Sequence, residues 1–421
     1  MIPADGRVSV RSRLPAETSA ALLLAVAFVL SQWSDFLVAR WLLRLLPVWA
    51  GLLLLTMPKL RRGRLRLPLP LTAFLVWCLA SFLWTFDRGN SLRHLVDLVA
   101  LVSVGWVAGQ VLGVAAARRT LARTVMYVVV ASVLTMVLAP AWSTAPGADG
   151  APGWHGPFPH KNGLGFFCAF AVLTLWTALP RGWSRRLWVG LVLGLLIGSR
   201  SASALAALGA AAVLMAWHAA RSEGSARRRL AVDTGAGAAL GLLGAAAMLW
   251  PDVVFRVLGR DSSLTGRRAI WTAVEHWIGE RPVLGYGFGG VWDPSSPLTM
   301  AIWRESRFDA FYAHNGYLDI PLQVGVIGLA LLIAVLFGIL VAAIRPVRRV
   351  GSWPLGVLVL LLLTATTESA PFTGNGLLLV ALLAGVLTAP ADTRGEIRHL
   401  PDGVAREWSP APPPASLAAG P

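Results

Sequence analysis

The chain has 421 residues, a formal net charge of +16 and a mean hydropathy of +0.64, with 56% hydrophobic and only 14% charged residues. Soluble domains carry about 25% charged residues, and here the apolar residues fall in blocks of about twenty, enough to cross about 30 Å of hydrocarbon. The positive charge does not indicate a nucleic-acid partner, because it is dealt out in small clusters between the apolar blocks, a pattern that sets membrane topology.

The sequence predicts an all-α, polytopic integral membrane protein of about twelve transmembrane helices. A cytoplasmic segment 1–17 carries Arg7, Arg11 and Arg13, and the apolar stretch after it is expected to be retained, since no small-residue cleavage site closes it. Expected spans then run over 18–37, 41–57, 67–86, 95–115, 121–139, 163–179, 187–199, 201–219 and 232–250, which together make a bundle over 18–250. A long external loop follows over 251–314. The bundle continues over 315–389 with spans 315–343, 353–369 and 372–389, and a Pro- and Ala-rich cytoplasmic tail, 390–421, has the composition of a disordered segment. Arg44 interrupts the second span.

With the N-terminus inside, alternate short connections hold the basic residues. They carry Lys59 to Arg66, Arg118 to Arg123, Arg181 to Arg186, Arg221 to Arg229 and Arg345 to Arg349. That alternation obeys the positive-inside rule and places both termini in the cytoplasm, with membrane lipids around the bundle. The long loop is external, and its mixed charges do not disturb the orientation because long loops translocate largely regardless of charge.

Gly190, Gly194 and Gly198 recur every fourth residue, and Gly237, Gly241 and Gly244 follow along the ninth span; both sets are expected to pack helices closely. Cys78 and Cys168 lie in apolar segments and indicate neither a disulfide framework nor a metal site.

Within the external loop, 266–280 reads as an amphipathic helix with Ile270, Trp271, Val274, Trp277 and Ile278 on one face. Such a helix lies on the membrane surface or caps the bundle. Ser263 and Thr265 are candidate N-caps, which puts Arg267 and Arg268 in the first turn. Cations there oppose the helix dipole unless an anion such as phosphate sits on the free N–H groups. A solvated surface arginine is the simpler reading for either. Gly285, Gly287, Gly289 and Gly290 lack a following Lys-Ser/Thr, so they provide turns rather than a nucleotide loop.

Three further polar sites fall at the outer boundary. They are His160-Lys161-Asn162 before the sixth span, Ser199-Arg200-Ser201 in a tight outer turn, and His314-Asn315 where the long loop re-enters the membrane. Histidine can accept a hydroxyl proton near neutral pH. Taken singly, each is an ordinary interfacial group; together they suggest a cleft for something anionic.

These motifs, with Trp84-Thr85-Phe86-Asp87, Thr265-Gly266-Arg267, Ile270-Trp271, Gly285-Tyr286-Gly287 and His314-Asn315-Gly316-Tyr317, resemble the O-antigen ligase and polymerase superfamily of bacterial membrane glycosyltransferases. The resemblance covers roughly residues 70 to 340 and rests on motif order and placement. It implies transfer of a glycan from a polyprenyl (undecaprenyl) diphosphate carrier to a glycan or lipid acceptor hydroxyl outside the cytoplasmic membrane, with no cofactor and no metal. It further implies that Arg200 and Arg267 hold the diphosphate and that His314 activates or orients the acceptor. His160, Lys161, Asn162, Arg268 and Asn315 are added as substrate-binding candidates. The lack of an outer carboxylate cluster agrees with a metal-independent site. Ligase and polymerase stay open. The competing class is a polysaccharide transporter or lipid-linked glycan flippase, which would place charged residues deep in several spans; the main deep ones here are Arg44 and Asp97.

Overall fold

The computed structural model describes residues 10–32, 37–55, 67–145, 152–222, 225–235, 238, 267–345, 351–374 and 376–389, and every regular element among them is helical. In chain order the main helices are α1 (Val10–Gln32), α2 (Leu37–Leu55), α3 (Leu69–Ala80), α4 (Arg88–Leu138), α5 (Lys161–Ala178), α6 (Trp183–Ser199) and α7 (Ala202–Ser222). They are followed by α8 (Arg267–Glu280), α9 (Pro297–Ser306), α10 (Gly316–Ala343), α11 (Trp353–Thr364) and α12 (Gly376–Thr388).

A helix stands at each expected span except 232–250, which lies almost wholly outside the described residues, as do Gly237, Gly241, Gly244, Ser263, Thr265 and the tail. Among the described residues three helices, α4, α7 and α10, are long and apolar enough to cross a membrane, and five shorter apolar helices accompany them. Apolar stripes such as Leu45, Val48 and Leu52 on α2 and Ile333, Phe337 and Val341 on α10 face outward. They suit contact with lipid rather than water.

Several boundaries differ from expectation for local reasons. The first helix begins at Val10 rather than near 18. The two spans expected over 95–115 and 121–139 form one helical run broken only at Gly113 (φ 65°), so Arg118, Arg119 and Arg123 are helical rather than in a loop. Each part of α4 has about 25 residues and is about 37 Å long. The expected span 353–369 stops at Thr364, which releases Glu368 into the connection before a helical turn, Ala370–Thr373.

Close glycine packing occurs, though not where the repeat suggested it. Gly190 and Gly194 meet nothing within 4 Å, and only Gly198 is packed, under the Trp154 ring. The tight contact is instead between α4 and α12. A Cβ on Gly105 would stand 2.4 Å from the Leu378 carbonyl oxygen, and one on Gly109 would stand 2.9 Å from Gly385 Cα. Gln110 donates to the Gly385 carbonyl across this seam at 2.9 Å.

Among the described residues one apolar core runs through the bundle, and a second belongs to the segment 267–315, called the outer segment after its expected placement. In the second, Ile270, Ala273 and Val274 of α8 pack on Leu298 and Ile302 of α9 together with Tyr286, Val291 and Leu322. The amphipathic helix therefore caps the bundle through its predicted face. Trp271, expected on that face, also donates to the Ala313 carbonyl at 2.9 Å.

The outer segment is joined to the bundle at a break in α10. Pro321 lies within that helix, and Val324 and Gly325 leave helical geometry, Gly325 with φ 69°. The freed carbonyls are taken up at once. Tyr286 N donates to Leu322 O at 3.0 Å, Gly287 N to Gln323 O at 2.7 Å, and Trp77 Nε1 to Val324 O at 2.8 Å. In return Val326 N donates to Pro282 O at 2.8 Å. The same glycine-rich loop is held from α3 and α4, since Phe288 N donates to Ser81 Oγ while Ser91 Oγ and Asn90 Nδ2 donate to the Phe288 and Gly289 carbonyls. Asp87, from the early outer loop, caps α4 by accepting from Asn90 N at 2.9 Å.

A Cβ at residue 325 would stand 1.9 Å from the Val283 carbonyl oxygen, in a backbone region unfavourable to L side chains. Gly325→Ala is expected to destabilise the protein by more than about 2 kcal/mol. Gly209→Ala, where a Cβ meets nothing within 4 Å, is expected to stay within about 1 kcal/mol of wild type. Thermal unfolding in nanodiscs compares the two, and equal melting temperatures would remove this account of the break.

Candidate active site

Glu368 is the one charged residue between Gly351 and Ala389, and it gathers the site around itself. Arg267 Nη2 donates to its Oε1 at 3.0 Å, and Asn162 Nδ2 donates to the same oxygen at 2.7 Å. His314 Nδ1 stands 3.6 Å from Oε2, just outside hydrogen-bonding distance. Asn162, Arg267, His314 and Glu368 thus come together from four separated stretches of chain.

Helix ends explain why they meet. The last carbonyls of α11 have no partner within their own helix. They are satisfied by the start of α10, where Gly316 N donates to Ala365 O at 2.7 Å and Tyr317 Oη to Leu362 O at 3.0 Å. Arg267 completes the cap, its Nη1 donating to Thr367 O at 2.6 Å. Asn315 is the N-cap of α10, accepting from Tyr317 N at 3.0 Å, and His160 is the N-cap of α5. The positive ends of two helices, α5 and α10, therefore approach the Glu368 carboxylate, which suits its charge.

His314 has φ 52°, and the described non-glycine residues with positive φ are only Arg200, Arg307 and His314. Two of these three are residues singled out from the sequence. A non-glycine residue in the left-handed region costs about 1–2 kcal/mol and persists where its surroundings fix it. For His314 the preceding residue is clamped on both sides. Ala313 N donates to the buried Asp319 at 3.1 Å and Ala313 O accepts from Trp271. Asp319 is itself held by Trp292 Nε1 at 2.5 Å. The Tyr312 ring lies 4.3 Å from the imidazole, centroid to centroid.

Electrostatics favour the ionised form of Glu368. Burial alone would push its carboxyl up, but the interaction with His314 and the charges of Arg267, His314 and His160 outweigh it and hold the group below its ordinary value. Arg267 is itself buried, at 8% exposure, so its pairing is not a screened surface contact.

A cavity of about 490 Å³ opens beside this cluster, within the usual range for small-ligand sites. Glu368, His160, Asn162 and Tyr312 form one wall. Two further ion pairs also line the cavity, Arg44 with Asp97 at 2.6 Å and Arg93 with Asp293 at 3.6 Å. Arg267 and His314 reach the cavity through Glu368 and Tyr312 rather than lining it.

Other predicted residues are less central. Arg200 is exposed at the end of α6. Its turn adjoins the start of α5, because a Cβ on Gly153 would touch both Ser199 O (2.6 Å) and Lys161 Cδ (2.9 Å). Arg268 is exposed. Glu368 and Asp319 were not among the residues singled out from the sequence. Both had a legible signal, a lone acid inside an apolar stretch, which in a membrane protein marks a functional candidate.

Residues 187–333 match the family model described as O-Antigen ligase, an interval that takes in Arg200, Arg267 and His314. Over 353 residues the chain is 26% identical to the Exopolysaccharide production protein ExoQ of Rhizobium meliloti (strain 1021), covering 79% of this chain and 80% of the relative. Both likenesses agree with the resemblance to the O-antigen ligase and polymerase superfamily read from the motifs. Together with the apolar helices they support an integral membrane protein with a role in polysaccharide biosynthesis. His160 to Asn162 and Glu368 fall outside the matched O-antigen ligase interval, so the cluster joins matched and unmatched parts of the chain.

Because the carboxyl of Glu368 is held below its ordinary 4.5, its contribution to stability is full above that value and is lost as pH falls through the lower, folded-state value. Wild type is therefore expected to melt above Glu368→Gln at neutral pH, with the gap closing as pH drops below the ordinary carboxylate range. A gap independent of pH, measured by melting in nanodiscs, would show that the charge of Glu368 is not what matters.

Proposed function

We propose that the chain transfers a glycan from an undecaprenyl diphosphate carrier to an acceptor hydroxyl at the outer face of the cytoplasmic membrane, in the building of a cell-surface or exported polysaccharide. The observation that carries this reading is the convergence of Asn162, Arg267 and His314 on Glu368, beside a cavity large enough for sugar. In the reaction the acceptor oxygen bonds to the anomeric carbon, the bond from that carbon to the phosphate oxygen breaks, and the lipid diphosphate leaves with the added negative charge. Arg267 and Arg200 hold the diphosphate, stabilising that charge as it develops. His314 takes or orients the acceptor proton. His160, Asn162 and Asn315 position the sugars, while Lys161 and Arg268 add positive potential at the mouth.

Metal independence belongs to the same proposal. Magnesium is usually held by carboxylates plus substrate phosphates, and Asp97, Asp293 and Glu368 each already face an arginine.

The assay is turnover of a labelled undecaprenyl-diphosphate glycan by purified protein, with and without acceptor and in excess EDTA. Arg267→Ala is expected to lose about 2–4 kcal/mol of transition-state stabilisation. Arg267→Lys is not expected to restore it, because an ammonium cannot reproduce a two-pronged planar contact. His314→Ala should keep donor affinity and lose turnover. Wild-type rates in well-folded Arg267→Lys and His314→Ala would remove the assigned roles, activity restored only by a divalent metal would remove metal independence, and translocation without transfer would favour a flippase.

Orientation is tested separately. A reporter fused after Arg229 is expected in the cytoplasm and one inserted near Ser296 outside, with both termini cytoplasmic. Both reporters on one side would overturn the topology.

A further inference from the structure

Two ion pairs that line the cavity are used by no role assigned above, and their charges neutralise one another. Arg44 grips Asp97 with two donors, Nε to Oδ1 at 2.6 Å and Nη2 to Oδ2 at 3.1 Å. One turn up the same face of α4, Arg93 reaches Asp293 of the outer segment at 3.6 Å. Arg44 and Asp97 are mostly buried, with 12% and 22% of their side chains exposed, and a charged pair held within a membrane bundle marks a candidate for ligand contact. Asp97 and Asp293 leave these two pairs without net positive charge to attract an anionic ligand. Arg200 and Arg268, for which no carboxylate partner is found among the described residues, are exposed and do not line the cavity. What paired guanidinium and carboxylate groups offer a ligand is donors and acceptors side by side at no net charge, which is what vicinal hydroxyls need. The exposed ring of Phe311 and the ring of Tyr312 complete the cavity, supplying apolar faces for the C–H side of a sugar ring. Tyr312 also touches His314, so a sugar seated here would lie next to the group assigned to the acceptor.

We propose that the Arg44–Asp97 and Arg93–Asp293 wall is a subsite for an uncharged sugar unit of the glycan, separate from the place where the diphosphate is held. This rests on the glycosyl-transfer reading and divides its site into a neutral sugar compartment and a cationic diphosphate compartment.

Saturation-transfer NMR on the full chain in nanodiscs, free of glycosidic detergent, tests it with three probes: cellobiose as neutral sugar, glucuronate as anionic sugar and farnesyl diphosphate as competitor. Cellobiose should receive saturation, glucuronate should receive several-fold less, and farnesyl diphosphate should not displace the neutral sugar. Arg93→Gln and Phe311→Ala change exposed side chains, so folding should survive; each should reduce the cellobiose signal at least threefold. Absence of cellobiose binding in wild type, unchanged binding in both variants, stronger binding of glucuronate, or displacement by farnesyl diphosphate would each overturn the subsite. Transfer from the lipid-linked donor is measured on the same preparations. Transfer without cellobiose binding rejects the subsite alone, whereas cellobiose binding without transfer supports the subsite and rejects the glycosyl-transfer reading.

Discussion

Breaking a helix at membrane depth releases backbone groups that water cannot reach, and each one left unpaired in hydrocarbon would cost several kcal/mol. The interruption of α10 at Val324–Gly325 therefore dictates much else. Three freed carbonyls need donors, and the glycine-rich loop and Trp77 provide them. For the loop to come that close its residues must lack Cβ atoms where Thr85 and His94 press against it. Once docked, the loop fixes α8 and α9 over the bundle, and it fixes the first two turns of α10 with their N-terminus at the site. The arrangement of Arg267 and His314 is in this sense a consequence of where one helix breaks.

Glu368 converts that placement into chemistry. A buried carboxylate is tolerated because a guanidinium, an amide, an imidazole and two helix N-termini surround it. Removing one partner from a buried ion pair typically destabilises by about 3–5 kcal/mol, so the acid and Arg267 hold each other in place. Arg267 is held in one conformation by Thr367 and Glu368 rather than searching solvent, which lowers the ordering cost of any further contact it makes.

Much of this was readable in the chain. The period and length of the apolar blocks located the helices, and the motif order located Arg267, His314 and His160 to Asn162 at one boundary. The turn residues of the glycine-rich loop were legible as turns. Hidden were the things that depend on long-range packing. Nothing local told that α11 would end at Thr364 and release Glu368, because Thr366 and Thr367 continue an apolar run without a break signal. The Gly190–Gly194 spacing looked like a packing face, yet spacing alone does not say which side of a helix has a neighbour. Gly105 and Gly109 carry the same spacing and do meet one. The pairing of Arg44 with Asp97 across 53 residues likewise becomes visible only when α2 lies on α4.

The outer segment has an apolar core of its own, distinct from that of the bundle. The two cores are tied by side chains as well as backbone, among them Trp77, Ser81, Asn90 and Ser91. Substitutions deep in one core, at positions with no partner in the other, are expected to add rather than compound, while those at the ties disturb both layers at once.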